Sequence, residues 1–485
     1  MVRTIQWCSK NPFTRLWQVS TLAALTLFLG ASWPSTAWSL NLDEAVQLAL
    51  ANDARHRGDV AAAKAQRAEG AINVAGYGPR LSASGAYRLA KERLLYDISE
   101  NQPADHANYD EWEWRLSFTQ PLIDLEKLAA ARRGLTEMDI GHLQEKKATD
   151  TLLLKVHEQY YAVLSAQEKL KTATSESEAL LESSKQTKER LSQGAGTITD
   201  QDDADARWRT ALATKIAAKT EYENNAKALA ETIGQPCDDL MADCQDCPLP
   251  EPGEDLNYWR RQAEIANTDL LITDLQYQAA ELILKEKKGR FLPSLVAFAD
   301  YSHRDSDGGL SGYGREREEM DAGLRLQMDL LAGGADTAAV IAASARRDEA
   351  LERLTEARRS LERSLTSLWD SLRDGKALTE ACREAADASE RALKSTETAY
   401  NEGLRTVLNL LDSQREYYRN LGQYRTSRYD YLTLMARFRN VTGVQPSSTA
   451  QPAPAAQPSP TQPADTAKPD SPPSTDSPAP PESTK

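Results

Sequence analysis

The most constraining feature of this chain is an internal repeat. Residues 194–203, GAGTITDQDD, and residues 403–412, GLRTVLNLLD, share one turn pattern about 209 residues apart. A second pair of matching segments, residues 77–81 (YGPRL) and 291–295 (FLPSL), lies about 214 residues apart. Internal repetition fixes the architecture before any local prediction. We therefore expect one unit of long helices and short strands to be used twice.

Stretches without proline predict very long helices in both units. No proline occurs between Leu122 and Gln235 or between Ser294 and Gln445, and helix interiors exclude proline. A continuous helix over the first window would be about 110 Å long at 1.5 Å per residue. Apolar residues recur there at heptad spacing, which is typical of coiled-coil packing, although a soluble coiled coil would show the same spacing. These residues are Val156, Tyr160, Val163 and Leu170 in the first window, and Leu351, Leu354, Leu361, Leu365, Leu368 and Leu372 in the second.

Short segments in which apolar and polar residues alternate lie between the helical windows. They are 81–89, 112–118, 292–301 and 320–330. Alternation predicts strands with two different faces, and the aromatic residues near the strand ends are typical of a membrane barrel's interfacial girdle. Four strands cannot close a barrel, and lipid does not tolerate open strand edges. Strands in a membrane would therefore require several chains per barrel, whereas a small soluble β-subdomain is the alternative.

The N-terminal segment predicts export from the cytoplasm. Residues 1–39 contain three basic residues, no acidic residue and an apolar run at 16–30. This order is typical of a secretory signal peptide, here cleaved after Ala37 or Ser39. No later run of about 18 apolar residues exists, so we expect no membrane-spanning helix. The net charge of −14 becomes more negative after cleavage, so we expect no binding to nucleic acid.

Four cysteines remain after the signal peptide. Cys237, Cys244 and Cys247 lie close together in an acidic linker, and Cys382 lies far from them. A zinc site would need a fourth ligand at a suitable spacing, which the linker does not offer. One disulfide within the linker is the simpler interpretation in an oxidising compartment, with the pairing left open. We predict no metal site.

Composition divides the chain into five predicted segments, and the motifs that are missing argue against an enzyme. The C-terminal tail holds more than half of the chain's 22 prolines and is expected to be disordered. No phosphate-binding loop and no catalytic grouping of Ser, Cys, His or Asp occurs, so we predict neither catalysis nor a cofactor. The segments are a signal peptide (1–39), a first repeat (40–236, with a hairpin at about 81–120), a linker (237–253), a second repeat (254–444, with a hairpin at about 291–331) and the tail (445–485).

In combination, these features resemble the TolC family of outer-membrane efflux and secretion channels over about residues 40–444. The resemblance rests on the opening segment 42–50 (LDEAVQLAL), on Pro79 and Pro293 before the strands, on residues 120–124 (QPLID) and on the two Gly-x-x-Thr-x-x-(Asp/Asn) turns. It implies a mainly α fold with a β part, built from two tandem repeats of coiled-coil helices and β-hairpins. It also implies a homotrimer whose twelve-stranded outer-membrane β-barrel continues into a periplasmic α-helical barrel.

The resemblance assigns roles to residues beside the two turns. Asn409 and Asp412 correspond to the pore constriction, where the family carries two acidic rings one helical turn apart. Asn409 departs from that pattern and would leave one ring neutral, so cation selectivity should be weaker than with two carboxylate rings. Gly194 and Gly403 correspond to the tips at which a periplasmic adaptor docks. Four further residues correspond to a gate network that holds the closed state: Tyr400, Arg405, Thr199 and Asp200.

The implied function is transport through a passive, gated duct in the outer membrane of a Gram-negative bacterium. Such a duct is the exit of a tripartite efflux pump or a type I secretion system, with a periplasmic adaptor and an inner-membrane transporter as partners. It contacts outer-membrane lipid, and its partner supplies the energy. Drugs, metals and proteins all remain candidate cargo. The alternative prediction is a periplasmic coiled-coil scaffold protein with a soluble β cap.

Overall fold

The structure, a computed structural model of one chain, describes residues 40–94, 105–236, 248–309 and 313–444. Helices dominate these ranges, and a small sheet accompanies them, so the predicted mainly α fold with a β part is confirmed. The elements in chain order are α1 (Leu42–Asn52), α2 (Ala54–Ala75), β1 (Arg80–Leu94), β2 (Asp105–Ile123), α3 (Leu125–Ser192), α4 (Ile198–Ile233), α5 (Leu256–Ala266), α6 (Thr268–Gly289), β3 (Ser294–Ser306), β4 (Arg315–Gln327), α7 (Ala335–Asn401) and α8 (Val407–Thr442).

The helix lengths recur from one half of the chain to the other. Helices α1 and α2 have 11 and 22 residues, and α5 and α6 have 11 and 22 as well. Helices α3 and α4 have 68 and 36 residues, against 67 and 36 for α7 and α8. At 1.5 Å per residue, α3 and α7 are each about 100 Å long. Each proline-free window thus contains one very long helix followed by a helix about half its length.

The strands form one antiparallel sheet in the order β1-β2-β3-β4, and its two faces differ in chemistry. The register pairs Gly85 with Trp114, and Trp114 with His303, so alternate residues share a face across all strands. One face is mainly apolar and aromatic, with Leu81, Ala83, Tyr87, Trp112, Trp114, Leu116, Phe118, Leu295, Ala297, Ala299, Tyr301, Met320, Ala322, Leu324 and Leu326. The other face is rich in charge, with Arg88, Glu111, Glu113, Arg115, Asp300, Arg304, Arg317, Glu319, Asp321 and Arg325.

The strands are longer than the alternation of apolar residues predicted. The observed hairpins cover 80–123 and 294–327, where the sequence predicted about 81–120 and 291–331. Within the first hairpin, the paired region reaches Leu94 and Asp105, well beyond the predicted segments 81–89 and 112–118. The prediction stopped where both faces become polar, because alternation is then lost although backbone pairing continues.

The hydrophobic core consists mainly of two clusters that share α8. In the first cluster, α8 packs against α1, α3 and α4, and the predicted heptad residues Val156, Tyr160 and Val163 are buried there. In the second cluster, α8 packs against α5 and α7, where Leu365 and Leu372 are buried. The heptad pattern therefore identified much of the core of both long helices.

Leu351 departs from the predicted heptad series of α7. Its side chain is exposed, whereas Leu354 and Leu365 of the same series are buried. Both Leu351 and Leu354 lie beyond the level at which α8 ends, because Phe438, near the end of α8, packs against Trp369. In that part of the chain α7 packs against α6, and of these two leucines only Leu354 is buried.

Small residues let α2 and α3 approach each other closely. Ala63 and Gly70 on α2 face Gly141 and Gly134 on α3, and all four are buried. A Cβ atom built on Gly134 would lie 2.4 Å from the carbonyl oxygen of Gly70. A Cβ atom built on Gly70 would lie 2.6 Å from the carbonyl oxygen of Gly134. At this crossing the two backbones are therefore in direct contact, and no larger side chain fits between them.

The predicted signal peptide (1–39), the tail (445–485) and Cys237, Cys244 and Cys247 lie outside the described residues. Cys382 is buried in α7 and is a free thiol in the described part of the chain. None of the described helices contains a segment long and apolar enough to cross a membrane.

Candidate functional site

The two predicted glycine turns adopt the same conformation. Gly194, between α3 and α4, has φ 75°, and Gly403, between α7 and α8, has φ 76°. In both turns the residue after the glycine donates its backbone N–H to a carbonyl five residues earlier: Ala195 to Arg190 and Leu404 to Ala399, each at 2.8 Å. This bond ends a helix with a left-handed residue, a conformation that favours glycine. The shared sequence pattern therefore encodes one turn used twice.

Asp200 and Asn409 hold equivalent positions at the starts of α4 and α8. The carboxylate of Asp200 accepts a hydrogen bond from the backbone N–H of Thr197 at 3.2 Å. The amide oxygen of Asn409 accepts one from the backbone N–H of Thr406 at 3.3 Å. Each threonine hydroxyl in turn accepts a backbone bond from the third helical residue, which completes a capping box. The side chains predicted for the gate and for the constriction therefore both cap their own helices.

Asp412 lies one turn further along α8 and pairs with the other half of the chain. Its Oδ1 atom accepts a hydrogen bond from Nη1 of Arg207, on α4, at 2.8 Å. Nη2 of Arg415, one turn further on α8, lies 3.6 Å from the same oxygen. Two guanidinium groups thus face one carboxylate, and the shorter contact joins α4 to α8.

Tyr400 lies at the end of α7 and contacts α3. The tyrosine is buried against Leu393 and Leu410. The guanidinium carbon of Arg190, in the last turn of α3, lies 4.4 Å from the centre of its ring. A cation over an aromatic face at this distance is attractive, by roughly 0.5–2 kcal/mol depending on desolvation. Arg190 and Tyr400 therefore form a second link between the two halves of the chain.

The predicted gate residues lie close in sequence to these links between the two halves. Within one chain, no hydrogen bond or ion pair among the described residues joins Tyr400 or Arg405 to Thr199 or Asp200. Arg405 and Thr199 are exposed in the turn regions. The gate network therefore stays a prediction, and the observed links at this level use Arg190 and Arg207.

Sequence reasoning missed both arginines. Arg190 carried a usable signal, because a cation in the last turn of a helix interacts favourably with the helix dipole. Arg207 carried none, since its partner Asp412 is 205 residues away in sequence. Only the packing of α4 against α8 brings this pair together.

A buried polar pair and a small apolar layer connect the helices further from the turns. Ser183 on α3 and Gln414 on α8 are both buried, and the hydroxyl oxygen lies 3.2 Å from the glutamine Oε1 and Nε2 atoms. The neighbouring apolar layer contains Leu180 of α3, Ala204 and Ala211 of α4, and Leu411 of α8. Buried polar groups are costly unless they are paired. This pair therefore favours one alignment of α3 with α8.

Glu176 predicts a pH dependence of stability in this region. Burial raises the pKa of this α3 carboxyl, and Arg415 lowers it by a smaller amount. Above the folded-state pKa both states are ionised, and the folded state bears the cost of the half-buried charge. As the pH falls through that pKa, the folded chain takes up the proton first and becomes more stable. We therefore expect Glu176→Gln to raise the Tm at about pH 8 and to have no effect at about pH 4.

Thermal unfolding followed by circular dichroism across this pH range checks the prediction. Glu178→Gln is the matched control, because Glu178 lies two residues away on α3 and is exposed. A gain in Tm for Glu176→Gln that is equal at both pH values, or equal to that of the control, would contradict the assignment.

One group of side chains in the described part of the chain has the spacing of metal ligands. It consists of His303 on β3 with Glu316 and Glu318 on β4. Both glutamates are largely exposed, at 70% and 64%, and each lies more than 3.5 Å from a histidine nitrogen. These are contacts of an exposed charged strand end and do not form an enclosed set of ligands. The prediction that the chain holds no metal site stays a prediction.

A family model and two known proteins each match more than half of this chain. The family model described as outer membrane efflux protein matches residues 45–235 and 259–444. The alkaline protease secretion protein AprF of Pseudomonas aeruginosa is 25% identical over 419 residues, covering 84% of this chain and 85% of that protein. Outer membrane protein TolC of Vibrio cholerae is 26% identical over 295 residues, covering 60% of this chain and 67% of that protein.

Solved structures show the same fold at lower identity. A membrane protein from Pseudomonas aeruginosa superposes with a TM-score of 0.72 at 18% identity, covering 83% of this chain and 90% of that one. The outer membrane protein VceC from Vibrio cholerae superposes with a TM-score of 0.70 at 15% identity, covering 83% and 96%.

Proposed function

The chain belongs to the outer membrane efflux protein family, and we propose that it is the outer-membrane exit duct of a tripartite efflux pump or type I secretion system. The duct is passive and gated, and it exports small molecules or proteins across the periplasm and outer membrane. The family match over both halves carries this proposal. The structure adds a sheet with one apolar face and one charged face, separated from the helix turns by helices about 100 Å long.

The sheet supports a place in the membrane. Leu81, Leu324 and Leu326 on its apolar face are exposed in one chain, at 66%, 66% and 71%. On the opposite face Arg88 lies 2.9 Å from Glu111, and Arg115 lies 2.9 Å from Glu113. Transmembrane barrels place apolar residues toward lipid and polar residues toward the lumen. The apolar face therefore contacts outer-membrane lipid, and the charged face lines the pore.

The number of strands supports assembly of several chains. Four strands are too few to enclose a pore, and three copies of the two hairpins give a twelve-stranded barrel. The matched helix lengths support two tandem repeats, and three pairs of long helical hairpins then form a periplasmic tunnel. The assembly is a homotrimer.

The glycine turns are the proposed docking site for the periplasmic adaptor. Gly194 and Gly403 are exposed at the ends of the long helices furthest along the chain from the sheet.

The adaptor connects the duct to an inner-membrane transporter, which supplies the energy, so the duct itself is not an enzyme. The names of relatives include protease secretion as well as efflux, and the proposal covers both kinds of cargo.

The mouth of the duct lies beside the same turns. Asn409 and Asp412 are the proposed constriction residues, supported by their place in the first turns of α8. Tyr400, Arg405, Thr199 and Asp200 remain the proposed gate network, and all four lie within the turn regions of the two hairpins. The periplasmic scaffold, the alternative from sequence, does not account for the exposed apolar face of the sheet.

Current through a planar lipid bilayer tests the proposal. Detergent-purified protein should give discrete conductance steps, and the protein should leave membranes with detergent but not with high salt. Asp412→Ala should shift the ion preference toward anions, while Asp203→Ala, its exposed counterpart in the first repeat, should change it less. Release by salt and an absence of steps from folded oligomers would overturn the duct and favour the scaffold. Conductance steps whose ion preference changes equally with both substitutions would support the duct but contradict the placement of Asp412 at its constriction.

A further inference from the structure

We infer that Arg207 sets the ion preference of the mouth by neutralising Asp412, an inference that rests on the proposed duct. The resemblance to the TolC family implies one ring of carboxylates, at Asp412. The structure instead places Nη1 of Arg207 at 2.8 Å from Oδ1 of Asp412. With Asn409 neutral as well, neither constriction position then carries an unpaired negative charge.

The packing of α4 against α8 holds the pair in place. Ala204 and Ala211, on either side of Arg207 along α4, are buried in one apolar layer with Leu411, the neighbour of Asp412. Alanine at both positions lets the two helices lie close together, so the arginine needs to reach only a short distance. The side chain of Arg207 is only 24% exposed, against 47% for that of Asp412.

The arginine of this pair is better shielded from water than the aspartate, so the pair lies between a surface pair and a buried one. Exposed ion pairs contribute little because water screens both charges, whereas a charged hydrogen bond shielded from water is among the stronger polar contacts. Arg415 approaches the same oxygen at 3.6 Å and adds a second positive charge. The net charge of these three side chains is therefore positive while Arg207 is paired with Asp412.

The pair also couples ion preference to opening. Arg207 belongs to the first helical hairpin and Asp412 to the second, so any movement that separates α4 from α8 breaks the contact. Separation exposes the carboxylate and moves a guanidinium away from it. The mouth then gains a negative ring in the open state that the closed state lacks, and rings of charge select ions.

Four variants test this inference by the reversal potential of single channels in a gradient of potassium chloride. Arg207→Gln frees the carboxylate in all three chains and should shift the K⁺/Cl⁻ permeability ratio toward K⁺ by at least about tenfold, because each unit charge about 6 Å away favours one ion and disfavours the other by about threefold in water. Asp412→Asn should shift the ratio toward Cl⁻. The double variant should return close to the parent. Arg209→Gln is the matched control, because Arg209 pairs with Asp205 on its own helix at 2.7 Å.

A second measurement does not depend on the pore. Thermal unfolding of the parent, the two single variants and the double variant forms a double-mutant cycle, which isolates the coupling between two residues. We expect a destabilisation in the double variant that is smaller than the sum of the two single effects.

The outcomes distinguish a failure of the role inferred for Arg207 from a failure of the proposed duct. Conductance steps whose ion preference is the same in Arg207→Gln and Arg209→Gln, with additive thermal effects, would overturn the role of Arg207 and leave the duct intact. An absence of steps from folded parent protein would overturn the duct and, with it, any role of Arg207 in ion preference. Opposite shifts in the two single variants, cancelled in the double variant, would support the inference.

Discussion

Gly134→Ala is expected to destabilise the chain by about 3 kcal/mol, although alanine is the better helix former. The added Cβ atom would lie 2.4 Å from the carbonyl oxygen of Gly70 and 2.9 Å from the Cβ atom of Asn73. The nearer obstacle is backbone, which cannot rotate away as a side chain can. The substitution must therefore push α2 away from α3 and loosen the packing along their whole contact.

The matched control is Gly58→Ala, the same change inside α2. A Cβ atom at Gly58 meets nothing within 4 Å, so only the helix preference of alanine acts. That preference is worth about 0.5–1 kcal/mol in favour of the variant. The two substitutions should therefore move the thermal midpoint in opposite directions when unfolding is followed by circular dichroism. Equal or greater stability of the Gly134 variant would show that the helices are not in backbone contact.

Phe438→Ala is the second substitution with a large expected effect, about 3–5 kcal/mol. The ring is 1% exposed and lies in the cluster that joins α5, α7 and α8. Its centre is 5.3 Å from that of Trp259 on α5 and 6.0 Å from that of Trp369 on α7. Truncation removes both aromatic contacts and leaves a cavity between three helices that cannot all collapse into it.

Leu408→Ala on the same helix is the control. Leu408 is 45% exposed, so its truncation should cost less than about 1 kcal/mol, in line with surface positions. Chemical denaturation of detergent-solubilised protein measures both variants. A cost for Phe438→Ala no larger than that for Leu408→Ala would place the α5 contact outside the stable core.

The helices were predictable because their signals are local. The absence of proline gave the extent of α3 and α7, and the Gly and Thr residues of the turns gave their ends. Each of these residue types affects the backbone hydrogen bonds only of its own residue or of residues within one helical turn. The capping role of Asp200 and Asn409 was readable in the same way, since Thr three residues before Asp or Asn is a sign of a helix start. The resemblance drew attention to other roles for both residues.

The links between the halves were not predictable because they join residues far apart in sequence. Arg207 and Asp412 meet only after α4 and α8 have packed, and Arg190 reaches Tyr400 only across α3 and α7. No spacing pattern records which polar residue on one long helix will face another. The extent of β1 and β2 was missed for a related reason, since backbone pairing across a polar stretch has no signature in side-chain type.

The edges of the sheet affect how the protein is made. Strands β1 and β4 are the first and last of the sheet, and each is paired on one side only within the described part of one chain. Their unpaired backbone groups are tolerated in water but not in hydrocarbon. Under the proposed function, the helices can fold in a single chain, whereas insertion of the sheet into lipid has to wait until several copies meet. The rate of that proposed insertion then rises more steeply than the concentration of chains, so dilute chains would insert slowly.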